Sequence, residues 1–299
     1  MGLDEEGWTP KVVAQAILRL EAVYKQCLLI RYAPIRPATF YYWRRRLLEE
    51  DPDKAIKDAI RKLSEENPYY GVLRIHTALQ RISGFEKVNH KLVQRLMHIM
   101  GIQAVGYGQK TRKYNSYPGP NGQSVKNRLR RRFTADRRFQ KLVSDVTEFK
   151  VPETGQKLYL EPIMDLYNRE IVSYSLSTKP TLAFALQAVQ KLLPKLPKRN
   201  YQTILHTDQG WQYRHRTWQK TLLQNGMKPS MSRKATALDN AVIASFFNKL
   251  KTEIGSLKQY KSRTELTKKI RWFIHDYNTN RIQMKLSGQS PIEYRQLAA

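Results

Sequence analysis

Apolar residues recur at helical spacing between positions 11 and 30, at Val12, Val13, Ile17, Leu20, Val23, Tyr24 and Leu28, and the spacing predicts helices. A break at 32–37 precedes a further helix through Phe40 and Trp43, whose other positions include Arg44, Arg45 and Arg46. That run reads either as the phosphate-facing element of a helix-turn-helix or as a solvated basic helix. A second helical block covers 53–101. Ile56, Ile60 and Leu63 share one helix, Val72, Ile75 and Leu79 a second, and Val93, Leu96 and Met97 a third that Asn89 is placed to cap.

After Phe133 the period changes from helical to alternating. Residues 142–151 and 157–164 are extended and β-branched around the turn at 152–156, which reads as a hairpin. A third strand at 171–176, a helix from Thr181 to about Leu193, a fourth strand from Tyr201 to His206, a helix at about 215–225, a fifth strand at 228–232 and a long helix from about Asn240 to Ile254 follow. Three meandering strands followed by helix, strand, helix, strand and helix is the order of a ribonuclease-H-like α/β fold, a mixed five-stranded sheet flanked by helices. All-α modules of helix-turn-helix type precede it. The expected division is residues 1–50, 51–104, a linker at 105–134, and a catalytic domain with a helical extension at 135–299.

Composition narrows the partners. The chain has 299 residues and a formal charge of +28, with 41% hydrophobic residues, so it combines real cores with a strong attraction for polyanions. Nucleic acid fits better than an anionic membrane, because the basic residues run through nearly every segment instead of lining one amphipathic helix. The 105–134 segment adds Lys110, Arg112, Lys113, Arg128, Arg130, Arg131 and Arg132 and contains no acid upstream of the domain. It reads as a strap along a phosphate backbone or as a plain hinge. A single cysteine, Cys27, excludes an internal disulfide framework and a Cys-rich zinc site. No apolar run approaches the roughly 20 residues of a membrane span, and the first residues lack the plan of a signal peptide, so the expected location is the cytoplasm.

Metal-dependent phosphoryl transfer needs carboxylates converging from distant segments to hold two cations about 3.5–4 Å apart. Asp145 lies in the predicted first strand, where an acid is costly without a ligand or partner. Asp208 directly follows the fourth strand, and its alternative is an ordinary turn acid before Gly210. Adjacent first and fourth strands would bring the two together. His206 reads as a packing or hydrogen-bonding histidine, Asp165 as a turn residue and Asp239 as a helix cap.

Asp145 in its strand, His206-Thr207-Asp208-Gln209-Gly210, Met231-Ser232-Arg233-Lys234, Asp239-Asn240-Ala241-Val242, Ser245-Phe246-Phe247 and Leu250-Lys251-Thr252-Glu253 resemble the catalytic domain of insertion-sequence transposases. The similarity is to second-reading-frame proteins of the insertion sequence three family, relatives of retroviral integrases. It extends through Tyr277-Asn278, Arg281 and Ser290-Pro291, and upstream through Tyr70-Gly71, Arg74-Ile75 and Val88-Asn89-His90-Lys91.

The resemblance implies a DNA transposase that binds terminal inverted repeats and carries out strand cleavage and strand transfer with Mg2+, or Mn2+ in its place, at two ions per site. It further implies double-stranded DNA as partner, a homodimer or higher assembly on it, and a bacterial, nucleoid-associated location. Asp145 and Asp208 would hold the metal. The family's third acid falls at position 244, where this chain has Ala244, so catalytic chemistry is expected to be silenced here. Deliberate replacement of a glutamate, or natural decay of the copy, accounts for it. Glu253 falls on the opposite helix face and Glu148 on the opposite strand face, so neither replaces the missing acid. Lys251, with Asn248, shares the face of Ala244 and is expected near the scissile phosphate, the alternative being a solvated lysine; Arg233 and Lys234 are candidates for clamping phosphate. The rival readings are a sequence-specific DNA-binding protein or repressor on a degenerate transposase scaffold, and a nuclease for RNA:DNA hybrids.

Overall fold

Two compact units divide at residues 62 and 63 in the computed structural model, which describes residues 8–48, 51–106, 124–198, 200–233 and 236–297. The first unit holds α1 (Pro10–Leu20), α2 (Gln26–Tyr32) and α3 (Pro37–Leu48). Thr9 caps α1, and proline fills its first turn, where the missing N–H costs nothing. Val13, Ala14, Ile17 and Phe40 close the core, with Trp43 and Leu47 packed against it. Arg46 leans on the Tyr42 ring and donates to its hydroxyl at 2.6 Å, while Arg44 lies 3.9 Å from Glu21.

Helix α4 (Lys54–Glu66) runs across the division, and α5 (Val72–Leu79) and α6 (His90–Ile99) follow. Asn89 caps α6 through Lys91 N at 2.9 Å, as its position predicts. In the second unit, α5 is fastened to the far end of the chain. Tyr70 Oη accepts from Ile282 N at 2.9 Å, Arg74 Nε donates to Ile282 O at 3.0 Å, and Arg81 forms a two-pronged pair with Glu293 at 3.1 and 3.0 Å.

The sheet contains β1 (Lys141–Ser144), β2 (Thr147–Lys150), β3 (Lys157–Asp165), β4 (Ile171–Ser177), β5 (Thr203–Thr207) and β6 (Met227–Met231). β4 borders β3, whose other side carries both β1 and β2; β5 follows β1 in parallel, and β6 follows β5 in parallel. β1 and β2 are therefore two halves of the expected first strand, and the five-stranded reading holds with that strand broken at residues 145–146. The register carries through the break and sets Asp145 opposite Pro162, which has no N–H to donate, so the ladder lapses there. Asp145 thus lies in an interruption, not in mid-strand as expected.

Helix α7 (Leu182–Leu192), the short α8 (Trp211–Arg214) and α9 (Arg216–Gln224) cover one face, burying Phe184, Val189, Tyr213, Trp218 and Leu222 with Leu142 and Ile163. Helices α10 (Ala241–Glu253) and α11 (Arg263–Thr279) cover the other, where Phe246, Phe247, Leu250, Phe273 and Tyr277 meet Val143, Leu160 and Met164. Helix α12 (Pro291–Leu297) completes the chain. The described end of the expected linker, 124–134, is part of this domain. Leu129 is buried in the core, and Arg128 N donates to Ser230 Oγ at 2.8 Å. Lys110, Arg112 and Lys113 lie outside the described residues.

Glu253, at the end of α10, pairs with Arg281, and both side chains are almost fully buried. Removing one partner leaves the other charge stranded in low dielectric, whereas removing both does not. Arg281→Ala is expected to cost about 3–5 kcal/mol in urea unfolding, and Arg281→Met with Glu253→Leu to recover most of the loss.

Candidate active site

The parallel pairing of β1 and β5 brings two acids to neighbouring strand ends, Asp145 one residue past β1 and Asp208 one residue past β5. Each is half-buried and each turns its carboxylate onto local backbone. Asp145 Oδ1 accepts from Val146 N at 2.8 Å, and Asp208 Oδ1 accepts from Gly210 N at 2.8 Å. A side chain at Gly210 would press on Asp208, since a Cβ there would lie 2.9 Å from Oδ1. Burial and then the nearby charge of Asp208 push the Asp145 carboxyl well above its ordinary value, the expected behaviour of two carboxylates sharing a site.

Alternation along β1 and β2 directs Asp145 to the face that α10 covers. Lys251 answers it. Its ammonium sits over the Phe149 ring at 5.9 Å; burial lowers its pKa, and Asp145 followed by Glu148 opposes that shift. Ala244 is half-buried two turns before Lys251, and Asn248 lies between them, exposed. The structure therefore brings together Asp145, Asp208 and Lys251 on the side where Ala244 lies. Glu148 is occupied elsewhere, accepting from Tyr159 Oη at 2.6 Å and Lys157 Nζ at 3.2 Å.

Two hard carboxylates suit Mg2+, which binds through one or two such groups and completes its octahedron with water and substrate phosphate oxygens. The methyl of Ala244 supplies no donor. Among the described residues no three His, Cys, Asp or Glu side chains are grouped to hold a metal.

Asp239 is not the cap of α10; Asn240 occupies that position and no side chain bonds the helix end. The Asp239 carboxylate instead accepts from Arg233 Nε and NH2, each at 2.9 Å, from Arg233 N at 3.0 Å, from Arg131 Nε at 2.9 Å and from Asn127 Nδ2 at 3.0 Å. The Arg233 contacts above all hold its carboxyl far below the usual carboxylate range. Arg131 and Arg233 are thus tied to a protein carboxylate, while Arg128, Arg130 and Arg132 are exposed. Lys234 lies outside the described residues. His206 is fully buried between Ser230 Oγ at 2.8 Å and Asp239 O at 3.1 Å, and burial lowers its pKa to about 4, so it is a neutral bonding group as expected. Asp165 accepts from Phe139 N at 2.7 Å and Tyr167 N at 3.0 Å, the work of a turn acid.

Glu161 escaped the sequence reading. It stands in mid-β3 opposite Val146, on the α7 face, 1% exposed, with Oε1 3.5 Å from Ser144 Oγ and Oε2 without a hydrogen-bond partner. Burial pushes its pKa to about 8. A charged residue inside an otherwise apolar strand, in Tyr159-Leu160-Glu161-Pro162, was the available signal. Its folded-state pKa lies above the ordinary 4.5, so its stabilising contribution is complete below about pH 4.5 and is lost as pH rises through about 8. Glu161→Gln is expected to match the parent in stability at pH 5 and exceed it at pH 8 by on the order of a few kcal/mol, in urea unfolding without divalent metal. Equal stability at both values would show that the ionised carboxylate is accommodated.

The integrase core domain family matches residues 135–237 and, as a second model of the same description, 244–298; an HTH-like domain matches 50–110. An Escherichia coli K12 protein named "Putative transposase InsK for insertion sequence element IS150" is 42% identical over 268 residues, covering 89% of this chain and 92% of its own length. The transposase InsF for insertion sequence IS3fB, from the same organism, is 31% identical over 209 residues, 69% of this chain and 70% of InsF. The HTLV-2 integrase catalytic core domain in complex with magnesium aligns with 52% of this chain and 95% of that domain at 19% identity and a TM-score of 0.40. With an integrase core behind an HTH-like domain, and with such relatives along most of its length, the chain belongs to the IS3 family of insertion-sequence transposases, proteins of DNA transposition.

Proposed function

We propose that this chain binds the terminal inverted repeats of its insertion sequence, pairs two ends as a dimer or larger assembly, and carries a strand-cleavage and strand-transfer site that is silenced at position 244. The supporting observation is the pair Asp145 and Asp208 on adjoining parallel strands, with Lys251 beside them and a methyl group at 244. Asp145 and Asp208 would hold Mg2+ or Mn2+, which when bound polarises the phosphodiester and activates the attacking oxygen. Burial and the neighbouring Asp208 raise the Asp145 pKa, so protons compete with a cation for that carboxyl and metal affinity is expected to increase with pH.

Lys251 offers a cation to a phosphate oxygen next to the carboxylates, and Asn248 a neutral donor one turn away. Arg233 stays 58% exposed while anchored on Asp239, so its place beside the site is fixed before DNA arrives. Exposed Arg128, Arg130 and Arg132 are further phosphate contacts in the second unit, and Arg44, Arg45 and Arg46 are separate candidates within the first unit. Lys110, Arg112, Lys113 and Lys234 are candidate phosphate contacts from their charge in the sequence.

Ala244 itself favours a second reading, a DNA-binding protein that retains the transposase scaffold without chemistry. Linear DNA carrying the element's ends, labelled and incubated with Mg2+ or Mn2+, separates the two. Ala244→Glu is expected to cleave and join it at rates several powers of ten above the parent chain, because it restores a metal ligand. Specific footprints on the ends without nicking by either form would establish the non-catalytic reading.

A further inference from the structure

Strand β4 forms one edge of the sheet, and an exposed edge would present unpaired N–H and C=O groups to any passing strand. Here the edge is already occupied by side chains. Lys195 Nζ donates to Val172 O at 2.7 Å, Lys191 Nζ donates to Tyr174 O at 3.3 Å, and Asn278 both accepts from Ile171 N at 2.9 Å and donates to Ile171 O at 3.0 Å. Beside this edge, between α7 on one face and α11 on the other, a cleft of about 820 Å³ opens to solvent. Lys191, Lys195, Arg271 and His275 line it together with Gln187 and Asn278, and none of the described lining residues is acidic.

We propose that this cleft binds the sugar-phosphate backbone of a duplex at a place separate from the two acids. Three cationic side chains and no acid around one concavity complement a chain of phosphates. An added β-strand is the poorer occupant, because its hydrogen-bonding positions at Ile171, Val172 and Tyr174 are filled. Each lysine ammonium carries three donors, so bonding one carbonyl fixes its position without exhausting it. Two strand spacings separate β4 from β1, about 10 Å across the sheet. A duplex lying in the cleft thus touches the protein beside, not on, the carboxylates. The contacts are to backbone only, so they hold DNA without regard to sequence, which suits flanking or target DNA better than recognition of a repeat.

The inference rests on the reading of the chain as a DNA-acting protein, and its test separates the two. The full chain is titrated against a fluorescein-labelled duplex of arbitrary sequence across a range of KCl concentrations, and compared with Lys191→Gln/Lys195→Gln/Arg271→Gln. The slope of log K against log[KCl] is expected to become shallower by about 0.9 for each lost phosphate contact, roughly 2–3 in all. If the triple variant melts early, Arg271→Gln alone, which leaves the strand edge covered, is expected to lose about 0.9. Binding with an unaltered slope overturns the cleft and leaves the DNA reading standing, whereas no binding of any duplex by the parent removes both. A change of mass in light scattering with an unaltered slope would make the cleft a contact between copies and overturn the proposal.

Discussion

The carboxylate of Asp239 is the point on which the geometry around the acids depends. It is fully shielded, yet it gathers Arg233 from the loop after β6, Arg131 and Asn127 from the basic segment, and through its own carbonyl the ring of His206 on β5. His206 in turn reaches Ser230 on β6, which accepts from Arg128 N. With the ring neutral, a consistent assignment has Ser230 donating to Nδ1 and Nε2–H donating to Asp239 O. One buried acid therefore locks two strands, an incoming segment and the start of α10 to each other. The start of helix α10 is thereby held next to the ends of β5 and β6 by charge-assisted bonds to a covered carboxylate.

The integrase-like core was readable because each signal in it is local. Alternation marked β3 through β6, Thr181 marked the start of α7 by accepting from Phe184 N at 3.2 Å, and Asp208 stood out as an acid before a tight turn. The break at Asp145 was not readable from its own segment, since it comes from Pro162 on the partner strand and needs the register to be known. Asp239 was assigned to a cap for a similar reason. Its position before α10 is a sequence fact, but its partners arrive from more than 100 residues upstream as well as from Arg233 nearby. Glu161 was overlooked because an acid in an apolar strand can be told from an error in strand placement only once its neighbours are seen. The basic segment at 124–134 carries so much charge that it reads as solvated, although Leu129 is buried in the core and Val125 and Phe133 pack against it.

The helical module gains its place from residues at the far end of the chain. Tyr70, Arg74 and Arg81 bond Ile282 and Glu293, and Tyr69 Oη reaches Glu253 O at 3.3 Å at the end of α10. Tyr69, one residue of the stretch that the HTH-like match covers, is thus in direct contact with the helix that carries position 244, within the second unit.

That docking joins residues 212 positions apart, and synthesis proceeds from the other end. On the ribosome α5 and α6 emerge long before Ile282 and Glu293 exist, so the surface they pack on is completed only once those later residues have been made. Helices α5 and α6 are consequently made early and locked to that surface late. A product cut short before residue 282 keeps the residues of α5 and α6 but lacks the Ile282 and Glu293 contacts that fasten them.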